Sequence, residues 1–215
     1  DAAQKRQDEA GRAWAIEAIS NARLEWTSYL QERQANAELG APDFTGKFIT
    51  DFDAYADEAV KAAPSEAAGK FFRERLLDIR TSLGEKAIAF EAAARVDYRD
   101  TKFNNAIDAG QKVVSVDPSQ FEVVLAEQLA VVDASALPPK ARADMRQKVV
   151  NSVAGAAVWS QIRSNPSAFL EQIGYAADNK QGVIGKTGNK GCDILPFETR
   201  NKMGADAISE LHKIN

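Results

Sequence analysis

The side chains that most often perform chemistry in proteins are scarce in this chain, which has one histidine, His212, and one cysteine, Cys192. A zinc site normally takes three or four nitrogen and sulfur ligands, more than this pair supplies. The two residues could in principle act as nucleophile and base, but the sequence offers no third group to orient the imidazole. We predict an unreactive thiol in a glycine-rich loop and a histidine near the C-terminal end of a helix.

Four carboxylates lie close together beside a run of aromatic residues: Asp51, Asp53, Asp57 and Glu58. Paired carboxylates can act as acid and base or hold a divalent cation, but this spacing lacks the glycine and the terminal glutamate of a calcium loop. A di-metal site in a helical bundle uses two Glu-x-x-His motifs, and the residue three before the only histidine is Ser209. The carboxylates are therefore interpreted as a solvated face. The sequence predicts no catalytic residue, no metal and no cofactor.

A glycine-rich loop is predicted at residues 174–191, and it contains Gly185, Lys186 and Thr187, the residue types that end a phosphate-binding loop. That motif also requires a glycine five residues before Gly185, where this chain has Lys180. It further requires a strand leading into the loop, whereas residues 168–175 have the pattern of a helix end. The sequence therefore favours a surface loop over a nucleotide site.

The elements that would position any such site are helices, because apolar residues recur at steps of three and four. The longest stretch, Ser65 to Val114, has no proline and predicts one long amphipathic helix with Pro64 in its first turn. Its apolar stripe changes phase between residues 97 and 105, where we expect a bend or a break. The core is expected along a seam that also includes the first helix: Trp26, Phe72, Leu76, Ile79, Leu83 and Phe90.

Two further helices are predicted before the long one. The first covers about residues 2–39, and the second lies within residues 43–62 and has an aromatic face. Trp14 and Tyr29 lie partly off the stripe of the first helix. We expect both in the core, because aromatic rings carry large buried area where helices cross.

The C-terminal half contains an imperfect repeat. Residues 117–121, Asp-Pro-Ser-Gln-Phe, match residues 165–169, Asn-Pro-Ser-Ala-Phe, at an offset of 48 residues. Residues 137–142 match residues 195–200, with a shared Leu-Pro and arginine, at an offset of 58. In each copy an Asp or Asn is expected to cap a helix and a proline to take its first position: Asp117, Pro118, Asn165 and Pro166.

These patterns together predict an all-α protein in which long amphipathic helices pack as a bundle. The bundle is expected over residues 1–115, and two repeated helical hairpins over residues 117–164 and 165–215 form the remainder, 116–215. Heptad-like stripes of this kind can close within one chain or between chains, so they leave the oligomeric state open.

Charge and hydropathy argue against a nucleic-acid-binding protein and against a membrane-spanning segment. The net charge is −4, and acidic and basic residues are interspersed, so no basic face is available for nucleic acid. No apolar run approaches the roughly twenty residues that span a bilayer. The chain begins with Asp1 and its last residues still have a helical pattern, so we expect a piece of a longer polypeptide.

Several segments resemble the helical region of internal virion, or DNA-ejection, proteins of short-tailed phages. They are residues 52–62, residues 71–78 (Phe-Phe-Arg-Glu-Arg-Leu-Leu-Asp), residues 117–139, and residues 165–200. Members of that family often carry a lytic transglycosylase domain, whose motif begins with a catalytic glutamate followed by serine. No Glu-Ser pair occurs in this chain, so the resemblance implies that any such enzyme lies elsewhere in the parent polypeptide.

The resemblance implies a structural role: a helical subunit of an assembly that is carried inside the virion and then helps to conduct DNA across the host envelope or periplasm. It implies other virion or ejection proteins and further copies of the chain as partners, at most indirect contact with DNA, and no small-molecule substrate. A helical adaptor without any phage connection, binding a partner protein through an exposed apolar stripe, is the alternative.

Overall fold

The computed structural model of the protein describes residues 2–175 and 187–214. Within these ranges the chain is helical and contains no strand, so the predicted all-α fold is confirmed. A 3-10 turn, Pro118–Gln120, follows the third helix. The eight α-helices are α1 (Ala2–Ala35), α2 (Phe44–Val60), α3 (Glu66–Val116), α4 (Phe121–Ala134), α5 (Pro139–Ser164), α6 (Pro166–Ile173), α7 (Lys190–Ile194) and α8 (Phe197–Ile214).

The chain forms two compact units, unit 1 (Asp1–Thr101) and unit 2 (Lys102–Asn215), and their boundary lies within α3. The predicted regions, 1–115 and 116–215, instead divide the chain at the end of that helix. Of the bend or break predicted between residues 97 and 105, a break is wrong, because α3 continues through this segment. The stripe changes phase there because the residues before the boundary pack into the core of unit 1 and those after it into the core of unit 2.

The core of unit 1 is an aromatic cluster between α1, α2 and α3. The indole of Trp26 meets the rings of Phe48 and Phe52 edge to face, with centroids 5.8 and 5.1 Å apart. This geometry is the one that aromatic quadrupoles favour. The side chain of Trp14 is half-buried, and its ring lies edge-on to that of Phe72, with centroids 5.3 Å apart.

The seam expected from the sequence lies in this cluster. Its members from Trp26 to Leu83 are buried, whereas Phe90 is half-buried and packs its ring against that of Phe44, with centroids 4.7 Å apart. The half-buried position of Phe90 is consistent with its place toward the end of the stripe. The seam is therefore a packing feature of unit 1.

Helix α3 begins one residue later than the sequence suggested. The hydroxyl oxygen of Ser65 accepts a hydrogen bond from the backbone N–H of Ala68 at 3.2 Å, which makes Ser65 the capping residue. Pro64 thus precedes the cap instead of lying in the first turn. The reason is local: a serine hydroxyl can satisfy a free N–H of the first turn, which proline cannot do.

The carboxylates of α2 have protein partners. The hydroxyl of Tyr29 donates to Asp51, and this hydrogen bond raises the pKa of Tyr29. Arg80 binds both oxygens of Asp53, with Nε–Oδ1 and Nη2–Oδ2 distances of 2.7 and 3.1 Å. Two of the four carboxylates that were predicted to be solvated therefore form hydrogen bonds that join α2 to α1 and α3.

Unit 2 is built around α5, which packs against α4, α6, α7 and α8. The first predicted hairpin corresponds to α4 and α5. In the second copy the first arm is divided into the short helices α6 and α7, and α8 is the second arm. Phe121 and Phe169, which occupy equivalent positions in the two copies, are both buried in the core of unit 2.

Cys192 was expected in the glycine-rich loop, and that prediction is wrong. Cys192 lies in α7 with 0% of its surface exposed. The reason is that Asn189 starts a helix directly after the glycines, which turns the small thiol into the apolar core. Burial raises the pKa of this thiol, so it is held as a neutral core side chain.

We expect Gly110→Ala to destabilise unit 2. A Cβ atom at Gly110 would lie 2.0 Å from Nε2 of Gln128 and 2.8 Å from Cγ1 of Val124. Nε2 of Gln128 also donates to the carbonyl oxygen of Ala106 at 2.8 Å, so moving the amide breaks that bond. Overpacking costs about 1–3 kcal/mol, which exceeds the gain of about 0.5–1 kcal/mol from replacing a helical glycine.

Gly46→Ala is the matched control for this prediction, because a Cβ atom at that position of α2 has no neighbour within 4 Å. It should stabilise the protein by about 0.5–1 kcal/mol in urea denaturation. If Gly110→Ala is as stable as Gly46→Ala, the close approach of α3 and α4 is not as described.

Candidate functional site

The most organised polar site in the described part of the chain is a cluster of amide side chains in unit 2. At its centre is Asn189, the residue that caps α7, which is only 4% exposed. Its Nδ2 donates to Oε1 of Gln161 at 2.6 Å and to Oε1 of Gln172 at 3.2 Å. Its Oδ1 accepts from the backbone N–H of Cys192 at 3.0 Å. The cluster thereby joins α5, α6 and α7.

The orientation of every amide in this cluster follows from one backbone group. A backbone N–H can only donate, so Asn189 must turn Oδ1 toward Cys192 and Nδ2 toward the two glutamines. Gln161 and Gln172 must then present their oxygens to Nδ2. Their own NH2 groups consequently point away from Asn189, and among the described residues neither has an acceptor.

A third amide is oriented in the same way. Oδ1 of Asn165 caps α6 by accepting from the backbone N–H of Ala168 at 3.0 Å. Its Nδ2 is therefore also directed away from the helix that it caps. Asn165, Gln161 and Gln172 all line one hollow.

Two adjoining hollows of about 440 and 340 Å³ share Pro118, Gln161 and Gln172. Among the described residues, those that line the larger hollow carry no charged side chain. The smaller one includes Glu122 and Lys190, which form an ion pair at 2.5 Å. The remaining residues that line the larger hollow are hydroxyl-bearing, amide-bearing or apolar: Ser160, Ser164, Asn165, Ala168 and Phe169. The described part of this lining is therefore polar and uncharged.

Asp193 forms hydrogen bonds with the segment that leads into α7. Its carboxylate accepts from the backbone N–H and the hydroxyl of Thr187, at 2.7 and 2.8 Å, and from the backbone N–H of Gly188 at 3.1 Å. The hydrogen bond from the Thr187 backbone lowers the pKa of Asp193 most. Bonds of this kind favour the charged carboxylate.

We expect this lowered pKa to make the start of α7 acid-sensitive. Because the folded-state pKa of Asp193 lies below the unfolded value of about 3.9, the charged group stabilises the fold above that value. The contribution is lost as the pH falls through the folded-state pKa. Asp193→Asn should therefore flatten the loss of stability in acid, measured by urea denaturation between pH 6 and pH 2.

Asp108→Asn, at an exposed position of α3, is the control for the acid series. A pH dependence that is as steep in Asp193→Asn as in the unaltered protein would contradict the role given to that carboxylate.

The residues predicted as caps of the repeat lie at the starts of two elements. Oδ1 of Asp117 accepts from the backbone N–H of Ser119 at 3.1 Å, and Pro118 is the first residue of the 3-10 turn. The hydrogen bond from the Ser119 hydroxyl lowers the pKa of Asp117 most. Asn165 caps α6, and Pro166 is its first residue. Asn165 and Pro118 also border the larger hollow, which the sequence did not suggest.

The remaining chemistry-bearing residues do not join this site. His212 is exposed in the last turn of α8, whereas Cys192 is buried. Within residues 2–175 and 187–214, no group of three or more His, Cys, Asp or Glu side chains could hold a metal ion. Of the predicted loop 174–191, Gly174 ends α6 in the left-handed conformation, and residues 176–186 lie outside the described residues.

Sequence reasoning missed Asn189, Gln161 and Gln172. The sequence contained one local indication: an asparagine at position 189 can cap a helix by accepting from the backbone N–H three residues later, at Cys192. The glutamines give no signal of their own, because they lie 28 and 17 residues from Asn189 and meet it only through the packing of α6 and α7 on α5.

Comparison of the chain with models of protein families, with curated proteins and with solved structures found no match. In the part of the chain that the structure describes, no helix combines the length and the apolar character needed to cross a membrane.

Proposed function

We propose that this chain is a structural segment of a phage internal virion or ejection assembly, a helical subunit that helps to form the conduit for DNA across the host envelope. The observation that carries the proposal is α3, a 51-residue helix that contributes to the cores of both compact units. A helix shared in this way suits a mechanical role. The particular kind of assembly is proposed from the resemblance of four segments to ejection proteins.

An apolar surface on unit 2 also supports assembly with other chains. Ten of the fourteen residues of α4 are apolar, but only Phe121 and Val132 are buried. Helices that are apolar on all sides are normally covered. Val123 and Val131 of α4 are exposed, and Val116 at the end of α3 is 88% exposed. A neighbouring subunit would remove these valines from water.

The alternative, a helical adaptor with no phage connection, uses the same exposed valines. In both cases the partner is a protein, because the interspersed charges and the net charge of −4 give DNA no basic face. Genomic context separates the two: genes for portal and tail proteins beside the coding sequence favour the virion assembly, and metabolic genes favour the adaptor.

Passage through a phage tail requires unfolding and fast refolding, and helical proteins with mostly local contacts fold within about microseconds to milliseconds. We expect the purified chain to refold on that scale without a chaperone when stopped-flow circular dichroism follows dilution from urea. Refolding over minutes, or only with a chaperone, would count against the ejection role.

In the proposed role the chain is structural and not an enzyme, and any transglycosylase activity would belong to another part of the parent polypeptide. The purified chain should therefore not clear a suspension of peptidoglycan, with hen egg-white lysozyme as the positive control. Clearing above the blank would overturn this part of the proposal.

A further inference from the structure

We propose that two copies of this chain associate through the outer face of the hairpin that α3 and α4 form in unit 2, with α3 of each copy lying along α4 of the other. The feature that carries the proposal is one exposed apolar surface with two charges of opposite sign, Lys112 on α3 and Glu127 on α4. The inference names the partner in the proposed assembly, and it rests on that role only for the expectation that the chain has a partner.

The last part of α3 and the whole of α4 are neighbours in unit 2. A Cβ atom at Gly110 would meet the side chains of Val124 and Gln128, and Nε2 of Gln128 donates to the carbonyl oxygen of Ala106 at 2.8 Å. The short 3-10 turn joins the two helices, so they run antiparallel, and residue 110 is level with about residue 126. Exposed side chains beside this contact therefore form one surface across both helices.

This surface, the hairpin face, is apolar over most of its length. Residues three and four positions from the contact share its side of each helix, which places Val113 beside Gly110 and Val131 beside Gln128. The exposed apolar side chains of the hairpin face are valines and alanines: Ala106, Ala109, Val113 and Val116 on α3, and Val123, Ala126, Ala130 and Val131 on α4. Small side chains of this kind let a second layer of helices approach to about 8–10 Å.

The two charges on the hairpin face select the partner. In the part of the chain that the structure describes, neither Lys112 nor Glu127 forms an ion pair. The other two acids of α4, Glu122 and Asp133, already have cationic partners in unit 2. A protein that covers the hairpin face must therefore bring a cation to Glu127 and an anion to Lys112. The hairpin face of a second copy presents one of each.

The positions of the two charges also select the arrangement. Laying α3 on α3 of the second copy would bring Lys112 close to Lys112 and Glu127 close to Glu127, which repel. A two-fold axis parallel to the helices instead lays α3 on the other copy's α4. Lys112 is two residues beyond Gly110, and Glu127 is level with residue 109, so the two differ by about 4.5 Å along the axis, within reach of a lysine side chain. Two-fold symmetry then forms this ion pair twice.

The test is sedimentation equilibrium of the purified full chain over about 5 to 500 µM, the range of weak protein association. We expect a reversible equilibrium between monomer and dimer. Glu127→Lys and Lys112→Glu each place like charges at both contacts and should weaken the dimer at least about tenfold. An equimolar mixture of these two variants has opposite charges at both contacts again, so it should form a one-to-one heterodimer with an affinity close to that of the unaltered chain.

Glu171→Lys is the matched control, because Glu171 is exposed on α6, which packs against α5 and α8 away from the hairpin face. It should leave the equilibrium unchanged. Circular dichroism verifies that each variant folds, and misfolded variants would not restore association on mixing. A chain that stays monomeric over the whole range, a dimer that neither single variant weakens, or a mixture that stays monomeric would each overturn the proposal. None of these results decides whether the chain lies in a phage particle, so this proposal and the proposed function can fail separately.

Discussion

Phe72→Ala should destabilise unit 1 by about 3–5 kcal/mol, the usual cost of emptying a phenylalanine site in a packed core. Phe72 is 1% exposed and lies in the first half of α3, where it belongs to the core of unit 1 and its ring meets that of Trp14 on α1. Alanine would leave a cavity that the surrounding rings cannot fill without moving the helices. Urea denaturation followed by tryptophan fluorescence measures the loss, because two of the three tryptophans, Trp14 and Trp26, belong to this unit, whereas Trp159 reports on unit 2.

The adjacent residue provides a stringent control. Phe71 carries the same side chain on the same helix but is 37% exposed and makes its one described ring contact with the guanidinium of Arg75. Phe71→Ala should cost less than about 1.5 kcal/mol, since little apolar surface returns to water. Equal losses in the two variants would mean that the burial stripe of α3 is wrongly placed.

Asn189→Ala should destabilise unit 2 by about 1–3 kcal/mol. The variant removes the hydrogen bond that caps α7, and because the capped N–H of Cys192 is buried, the loss is that of an unsatisfied buried donor and exceeds that of an exposed cap. It also releases Gln161 and Gln172, whose oxygens lose their shared donor. Thermal and urea denaturation followed by circular dichroism measure the change.

Asn165→Ala is the control for this variant, because Asn165 caps α6 in the same way at an exposed position. It should cost about 1 kcal/mol, the typical value of an exposed cap. If Asn189→Ala costs no more than Asn165→Ala, the amide cluster is ordinary capping and does not hold α5, α6 and α7 together.

Much of the fold could be predicted from spacing alone. A buried stripe such as Phe72, Leu76, Ile79 repeats at three and four residues, and only a helix places those side chains on one face. The caps Asp117 and Asn165 were visible because each precedes a proline at the start of an element. Signals of this kind are local, so a single sequence contains them.

The errors arose where the outcome depends on distant residues. The phase change before Asn105 indicated a bend or a break, but an unbroken helix also changes its buried face when it passes from one core to another. Cys192 was placed in a loop because glycines precede it, whereas the cap of Asn189 and the surface of α5 together turn it inward. The amide cluster depends on the same long-range packing.

The most direct test of the proposed function is the composition of purified, nuclease-treated phage particles from the source culture, measured by mass spectrometry before and after DNA ejection is triggered. We expect peptides of this chain inside intact particles, together with other ejection proteins, and their loss from the emptied particles into the envelope fraction of the host. Their absence from intact particles, with the chain present in uninfected host cells, would contradict the account.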